Sequence, residues 1–343
     1  MIIERKESWG NLKYDTSQHR FSCVQTNGKD AIPYAQEPVV LNVDLTMKCN
    51  MDCMHCVTKD FDQAEDLVIS KKLVGWINTE PFMVVVITGG EPFLPEYENR
   101  LIRLLRETRN KGLVVDTNGT ILPSHSLIEA IRETNTLVRI SWDSTRPSDE
   151  TYFRHVKPDT KRNHDINLEY YYRKIDVTQL LCSAGVNVAV QSVVQKRNLD
   201  SIIDMPAVLR KFSIKQWYIQ RFIPSHKATG ENFEVSNLKY GRVIAKLTKR
   251  CQEANIECIT KKDRRHNCVV LLVGDGILYT QGEKPRQKLW LGTIDDDIRY
   301  FEYVSSADHA ERYYGVEGGK NEGTKKSVNK GMDESFQRAI LQS

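Results

Sequence analysis

The sequence has no long apolar run. The longest such runs are Met83–Ile87 and Val269–Val273, far short of the roughly 20 residues that cross a bilayer as a helix. Nor does an apolar segment follow Met1, since only two isoleucines separate it from the charged stretch 4–7. We therefore expect no membrane span, no secretory leader and a cytoplasmic location.

The net charge is small, and the cysteines are too few for a disulfide scaffold. The 343 residues include eight cysteines and carry a net charge of +4, with both signs interspersed. A charge this small does not indicate a nucleic-acid partner. Eight cysteines, three of them clustered, are typical of a reducing compartment and of metal binding rather than of a disulfide scaffold. At this length we expect one large domain with an appendage rather than two equal domains.

The three clustered cysteines are Cys49, Cys53 and Cys56, at the spacing C-x3-C-x2-C after a buried strand-like run. Thiolates on one loop can converge on one soft metal centre. Since a closed zinc site or an ordinary cubane takes four protein ligands, three leave one coordination position open. A Cys3His zinc site with His55 is the alternative, but two adjacent ligands at 55 and 56 require an awkward turn. A disulfide is less favoured still.

A second motif, TGGEP at Thr88–Pro92, follows the next predicted strand. Alone it is typical of a strand-to-helix turn. Together and in this order, the cysteine loop and TGGEP resemble the two signatures of radical S-adenosylmethionine (radical SAM) enzymes, although His55 stands where that family usually has an aromatic residue. Within that family, the chain resembles the group of molybdenum-cofactor biosynthesis enzyme A and of the SPASM/twitch proteins.

This resemblance implies one 4Fe–4S cluster on the three cysteines, with the open iron chelated by the methionine part of S-adenosylmethionine (SAM). One electron then cleaves the sulfonium, and the released 5′-deoxyadenosyl radical abstracts hydrogen from a substrate. The expected contacts to SAM include the backbone and carboxylate of residues 89–91. The full set of predicted cofactor-binding residues is Gly89, Gly90, Glu91, Pro92, Ser141, Asp143, Gln191, Asn198 and Arg221.

From Val39 onward, apolar runs of strand length alternate with stretches of helical spacing. Six such units predict a parallel sheet with helices outside, and the resemblance implies a partial (β/α)6 TIM-like barrel. Both motifs then lie at the carboxyl ends of strands, where α/β barrels carry their chemistry. The predicted strands are Val39–Leu45, Met83–Thr88, Leu113–Thr117, Leu137–Trp142, Val186–Val194 and Gln216–Phe222.

Polar residues at the other strand ends complete the predicted site. Ser141 and Asp143 point the same way in an extended strand, whereas Trp142 is expected to pack against the outer helices. Thr117-Asn118-Gly119 is either a turn or a substrate contact. Asn198 caps a helix in one interpretation, and Gln220 or Arg221 lies near the mouth, where Arg221 would hold an anionic group.

Residues 146–173 form a long charged stretch rich in Tyr and His, predicted to be a loop that is either a substrate cover or a solvated insertion. We expect a β-hairpin extension at 1–38, the barrel at 39–234, a small α+β appendage at 235–303 and a polar, mobile tail at 304–343. The hairpin is expected to cover one end of the barrel.

The appendage resembles a SPASM or twitch module, in which Cys268 and Gly276 match the frame of an auxiliary cluster. Gln281 stands where the next cysteine belongs, so we expect the second cluster to be absent. A three-ligand site of Cys251, Cys258 and Cys268 is the alternative.

The sequence thus predicts a monomeric or weakly associating radical SAM enzyme that draws electrons from a flavodoxin or ferredoxin. A small metabolite is the first expected substrate and a ribosomal peptide the second; no nucleic acid or membrane is expected as a partner. The alternative of another class is an iron–sulfur electron carrier without turnover, for which TGGEP and a six-unit barrel would be unusual.

Overall fold

A computed structural model describes residues 1–7, 10–25, 37–56, 65–156, 163–222, 224, 233–260, 269–281 and 288–298. Its strands form one sheet of three and one of ten. The strands are β1 (Ile2–Glu7), β2 (Gly10–Asp15), β3 (Arg20–Gln25), β4 (Val40–Thr46), β5 (Val84–Gly89), β6 (Gly112–Thr117), β7 (Leu137–Ser141), β8 (Asn187–Val194), β9 (Gln216–Arg221), β10 (Glu257–Thr260), β11 (Val269–Val273), β12 (Ile277–Gln281) and β13 (Lys288–Thr293). The helices are α1 (Lys71–Thr79), α2 (Glu98–Glu107), α3 (His125–Glu133), α4 (Pro147–Phe153), α5 (Asn163–Ser183), α6 (Met205–Lys211) and α7 (Asn237–Ala254).

Six parallel strands, β4 to β9, lie side by side in chain order. Their boundaries agree within one residue with those of the six predicted strands, and α1, α2, α3, α5 and α6 alternate with them. This is the predicted partial (β/α)6 barrel. None of the helices in the described ranges is long and apolar enough to cross a bilayer.

Two apolar layers flank the parallel strands. The larger lies between the outer face of the sheet and the helices, and Trp142, 1% exposed, belongs to it through ring contacts with Tyr171 and Phe212. The predicted outward packing of Trp142 is confirmed. The smaller layer fills the inner face at the amino ends of the strands. Because side chains alternate along a strand, each strand contributes to both layers.

The leading sheet covers the amino end of the barrel. The predicted hairpin is confirmed as β2 and β3, and β1 adds a third antiparallel strand. Leu12 and Tyr14 pack among the inner-face valines of the parallel strands. Tyr14 lies so close to Gly112 that a Cβ there would be 2.1 Å from its ring, so the two sheets are in tight contact.

Acid should destabilise the leading sheet, because His19 becomes protonated. The ring is 5% exposed, lies 3.2 Å from the Tyr14 hydroxyl, and has its pKa lowered to about 4 by burial. Because folding favours the neutral ring, stability is lost as the pH falls from about 6.5 toward 4, by about 2–3 kcal/mol at pH 4.5. His19 has φ 49°, which asparagine tolerates.

We expect His19→Asn to remove this part of the acid sensitivity, measured as the difference in urea-unfolding free energy between pH 7 and pH 4.5. His125→Gln, at an exposed histidine, is the control and should show the same free-energy difference between the two pH values as wild type. An equal free-energy difference in wild type and His19→Asn would contradict the role assigned to His19.

The C-terminal elements extend both edges of the barrel sheet. Helix α7 begins after Ser236, whose side chain accepts from the Lys239 amide, and β10 pairs in parallel with β9. At the far edge β11 pairs in parallel with β4, followed antiparallel by β12 and β13. The predicted domain boundaries stay predictions. The tail, 304–343, lies outside the described residues.

The described part of residues 146–173 differs from the predicted long loop. Their first part is α4, which has Pro147 in its first turn together with Asp149 and Glu150. Proline and acidic residues are favoured at a helix start, because proline fixes φ and the carboxylates complement the helix dipole.

Candidate metal and cofactor site

The cysteine loop begins at the carboxyl end of β4. Cys49, Cys53 and Cys56 are partly buried free thiols, and the amide of Cys56 donates to the carbonyl of Cys53 at 3.2 Å. The Cys49 sulfur accepts from the Met51 amide at 3.4 Å. The chain therefore turns tightly around its own sulfur atoms.

TGGEP holds the start of this loop through its backbone. The amide of Gly90 donates to the carbonyl of Thr46 at 2.6 Å, and the amide of Glu91 donates to that of Lys48 at 2.8 Å. A Cβ on Gly90 would lie 1.9 Å from the Lys48 carbonyl oxygen, and Gly89 has φ +110°. Both glycines are thus required by the close approach of β5 to the residues before Cys49.

The Glu91 carboxylate is occupied by protein donors. It is fully buried and accepts from the amides of Phe93 (2.9 Å) and Asn118 (2.7 Å) and from the Thr117 hydroxyl (2.7 Å). Burial raises its pKa to about 7, although the three hydrogen bonds act to lower it. Glu91 therefore ties TGGEP to the end of β6, with Pro92 buried beside it. The expected contacts of these residues with SAM stay predictions.

Asn118 connects the end of β6 to the cysteine loop. Its side-chain amide donates to Asn50 Oδ1 at 2.9 Å and lies 3.8 Å from the Cys49 sulfur. Gly119, with φ +73°, turns the chain directly afterwards. The segment is therefore the predicted turn, and it also contacts the predicted ligand loop, which the sequence did not indicate.

On its other side the loop is clamped by the segment that follows α4. The amide of Asp52 donates to the carbonyl of His155 at 2.6 Å, and that of Met54 donates to the carbonyl of Phe153 at 2.9 Å. An isolated antiparallel bridge joins Met51 to Val156. The stretch considered as a substrate cover is thus a structural partner of the cysteine loop.

A buried charge cluster lies behind this clamp. Arg154 donates to Asp143 at 2.8 Å, and His55 Nε2 lies 3.5 Å from the same carboxylate. Glu150 accepts from the amides of residues 143 and 144 and pairs with the buried Lys174. Burial opposes ionisation, but Arg154 keeps the pKa of Asp143 below its ordinary value. Burial lowers the pKa of His55 to about 4.

Asp143 is committed to protein partners, since it also accepts from the Val193 amide at 2.8 Å. Asn198 is fully buried and donates to the carbonyls of Asp143 and Val193, both at 2.8 Å. The helix-capping interpretation of Asn198 is wrong, because Asp200 and Asp204 precede the next helical turns. Its amide instead joins the ends of β7 and β8. Roles of Asp143 and Asn198 in cofactor binding stay predictions.

Ser141 and Gln191 are direct partners in the β7–β8 register. The Gln191 Oε1 and, on β9, the Gln220 Nε2 are buried without a hydrogen-bond partner. Such atoms are costly unless a ligand or water satisfies them, which is compatible with the cofactor contact predicted for Gln191. Arg221 instead donates to Asn237 and to the carbonyl of Val235 at the start of α7. Its predicted anion contact stays a prediction that this geometry does not favour.

The donor set, three cysteine thiols on one loop, fits a 4Fe–4S cluster. Burial raises the pKa of Cys49 to about 11 and of Cys53 to about 12, and the three thiols influence each other's charge. Yet no three Cys, His, Asp or Glu side chains of the described ranges are placed to hold one metal ion. The Cys3His zinc site stays the alternative prediction. A 4Fe–4S cluster takes each thiolate on a separate iron, and metal binding releases the thiol protons.

Of the alternative three-cysteine site in the C-terminal region, the structure describes two cysteines. Cys251 on α7 is buried and hydrogen-bonded to Cys258 on β10. Cys268 and the side chain of Gln281 lie outside the described residues. The predicted absence of a second cluster stays a prediction.

Residues 43–205 match the sequence profile of the radical SAM superfamily. Among curated proteins, the chain is 26% identical over 197 residues to the subtilosin biosynthesis protein AlbA of Bacillus subtilis (56% of this chain, 40% of AlbA). It is 28% identical over 119 residues to a probable GTP 3′,8-cyclase of Methanocaldococcus jannaschii (33% and 39%). The matches thus span less than half the length of these relatives.

Solved structures extend the likeness in fold beyond that profile. Streptococcus suis SuiB bound to SAM superposes with a TM-score of 0.65 at 12% identity, covering 91% of this chain and 89% of SuiB. The structure called anSMEcpe, also with bound SAM, gives a TM-score of 0.60 at 16% identity and covers 82% and 84%. The shared fold therefore includes elements outside residues 43–205.

Proposed function

We propose that this protein, whose residues 43–205 match the sequence profile of the radical SAM superfamily, is an enzyme that binds a 4Fe–4S cluster through Cys49, Cys53 and Cys56 and cleaves SAM reductively. The observation that carries the proposal is the construction of the loop. Three free thiols stand at the carboxyl end of the barrel, held from one side by TGGEP and from the other by the segment after α4.

The cluster, when bound, would supply the electron that cleaves SAM. The chain's own part is to hold the sulfurs and keep water away. Gly90 and Glu91 fix the backbone before Cys49, and Asn118 directs an amide toward its sulfur. Beside the loop, Met54 packs on an aromatic cluster. That cluster consists of Phe153, Phe222 and Phe233. Such an apolar flank suits radical chemistry, because a carbon radical must be protected from competing reactions.

The proposed substrate is a peptide, with a small metabolite as the second candidate. Support comes from the relatives: AlbA is a bacteriocin biosynthesis protein, and SuiB bound to precursor peptide SuiA superposes with a TM-score of 0.60. The chain covers most of SuiB, so the resemblance includes more than the barrel. The metabolite rests on the GTP cyclase relatives and on Gln281, which stands in place of an auxiliary-cluster cysteine.

The test is SAM cleavage by the full chain after anaerobic cluster reconstitution and reduction, with 5′-deoxyadenosine measured by mass spectrometry. Wild type should form it, Cys53→Ala should fall to background, and Cys182→Ala, which removes a free thiol on α5, should match wild type. An electron carrier would form none in any variant, and that result would overturn the proposal.

The substrate and the electron donor are tested in separate experiments. A short peptide encoded beside this gene should raise 5′-deoxyadenosine formation and change in mass, whereas a metabolite extract should do neither. The reverse pattern would replace the peptide by the metabolite. A reduced flavodoxin should substitute for the chemical reductant, as expected of a low-potential donor.

A further inference from the structure

The pairing between the cysteine loop and the segment after α4 sets a specific neighbour for Cys53. Met51 is bridged to Val156 in antiparallel register, and the amides of residues 52 and 54 donate to the carbonyls of residues 155 and 153. The same register places Arg154 directly opposite Cys53. Because the flanking pairs are hydrogen-bonded, this is a non-hydrogen-bonded pair, in which Cα atoms lie about 4.5 Å apart and side chains are close.

Arg154 is a fixed cation in a dry place. Its residue is 8% exposed, and its guanidinium donates to Asp143 at 2.8 and 3.4 Å. The other charges facing it are Glu150, 3.8 Å away, and Lys174, which pairs with Glu150. Two cations and two carboxylates balance, so removal of the guanidinium would leave a net negative charge beside Cys53.

Charge at this position bears directly on electron uptake. A reduced iron–sulfur cluster carries one more negative charge than an oxidised one, and net charge nearby is among the factors that set its reduction potential. Burial keeps water from screening the interaction.

We propose that Arg154 raises the reduction potential of the cluster by presenting its guanidinium to the Cys53 thiolate. The inference rests on the proposed function, because it presumes a cluster on this loop. Arg154 is a positioning residue that acts through Cys53 and does not touch the substrate. Asp143 fixes the guanidinium in place, which gives the fully buried carboxylate a role within the protein.

The experiment is a potentiometric titration of the reconstituted full chain, followed by EPR of the reduced cluster and normalised to bound iron. At equal ambient potential, Arg154→Gln should show a ratio of reduced to oxidised cluster at least tenfold lower than wild type, which is 59 mV for a one-electron couple. Arg154→Lys keeps the charge and should stay within about threefold of wild type, by the same relation.

Two further variants keep the test decisive. Arg154→Gln leaves Asp143 without its cation, so the double variant Arg154→Gln/Asp143→Asn removes both charges and should lie between Arg154→Gln and wild type. Arg139→Gln is the matched control, because Arg139 is also 8% exposed and paired with an aspartate, Asp116, at 2.6 and 2.8 Å. It lies on β7 outside the clamp and should leave the potential unchanged.

The inference is overturned if Arg154→Gln binds iron with the wild-type potential, or if Arg139→Gln shifts the potential equally. A purely structural Arg154 would lower iron loading without moving the potential of the clusters that form. Failure of the proposed function is a separate outcome, since wild type itself would then form no 5′-deoxyadenosine.

Discussion

Replacing Gly90 with alanine should abolish cluster loading and, with it, SAM cleavage. The new Cβ would lie 1.9 Å from the Lys48 carbonyl oxygen and 2.9 Å from the Met47 carbonyl carbon. Both are backbone atoms, so the contact is relieved only by moving the start of the cysteine loop. That movement breaks the hydrogen bonds from residues 90 and 91 to Thr46 and Lys48. We expect iron per chain to fall at least tenfold after reconstitution.

Gly75 provides the control for this substitution. It lies within α1, and a Cβ there would meet no atom within 4 Å. Replacing a helix-interior glycine with alanine stabilises a helix by roughly 0.5–1 kcal/mol. Gly75→Ala should therefore load iron like wild type and unfold at a slightly higher urea concentration. Wild-type iron loading in Gly90→Ala would contradict the role given to TGGEP.

Replacing Lys174 with methionine should cause the largest loss of stability. Lys174 on α5 is 1% exposed and pairs with Glu150, which also accepts the amides of residues 143 and 144. Without the ammonium group, Glu150 is a buried carboxylate short of one counter-charge. Removing one partner of a buried ion pair costs about 3–5 kcal/mol, and urea unfolding measured by circular dichroism would report it.

The matched surface pair is Arg106–Glu133, at 2.9 Å with both side chains about half exposed. Arg106→Ala should cost less than about 1 kcal/mol, because water screens exposed pairs. The double variant Lys174→Met/Glu150→Gln should recover part of the loss, since it removes the uncompensated charge. A loss below about 1 kcal/mol in Lys174→Met would show that Arg154, 3.8 Å from Glu150, already neutralises it.

The barrel was predictable because its signal is periodic. Each strand, such as Val84–Gly89, is an apolar run long enough to recognise, and helices such as α2 carry a clear apolar stripe. The hairpin of β2 and β3 followed from simple alternation. The sequence analysis did not identify β1 or α4, and the seven residues of α4 are too few to show a helical period.

The site was predictable in its ligands and not in its supports. The three cysteines and TGGEP can be recognised by their spacing. The roles of Asn118 and Arg154 depend on contacts with residues 69 and 101 positions earlier in the chain. Arg221 shows a different limit, because its predicted anion contact is still untested. A charged residue at a strand end suggested an anion, but strand parity turns it outward to α7. A single sequence gives no information on such long-range partners.

The central claim is that three thiolates hold a cluster with one iron open to SAM. Mössbauer spectroscopy of the chain reconstituted with iron-57 tests it most directly, with and without SAM. The account predicts about four irons per chain, of which one, about a quarter of the signal, changes when SAM is added. Iron that is unaffected by SAM, or held without a 4Fe–4S signature, would contradict it.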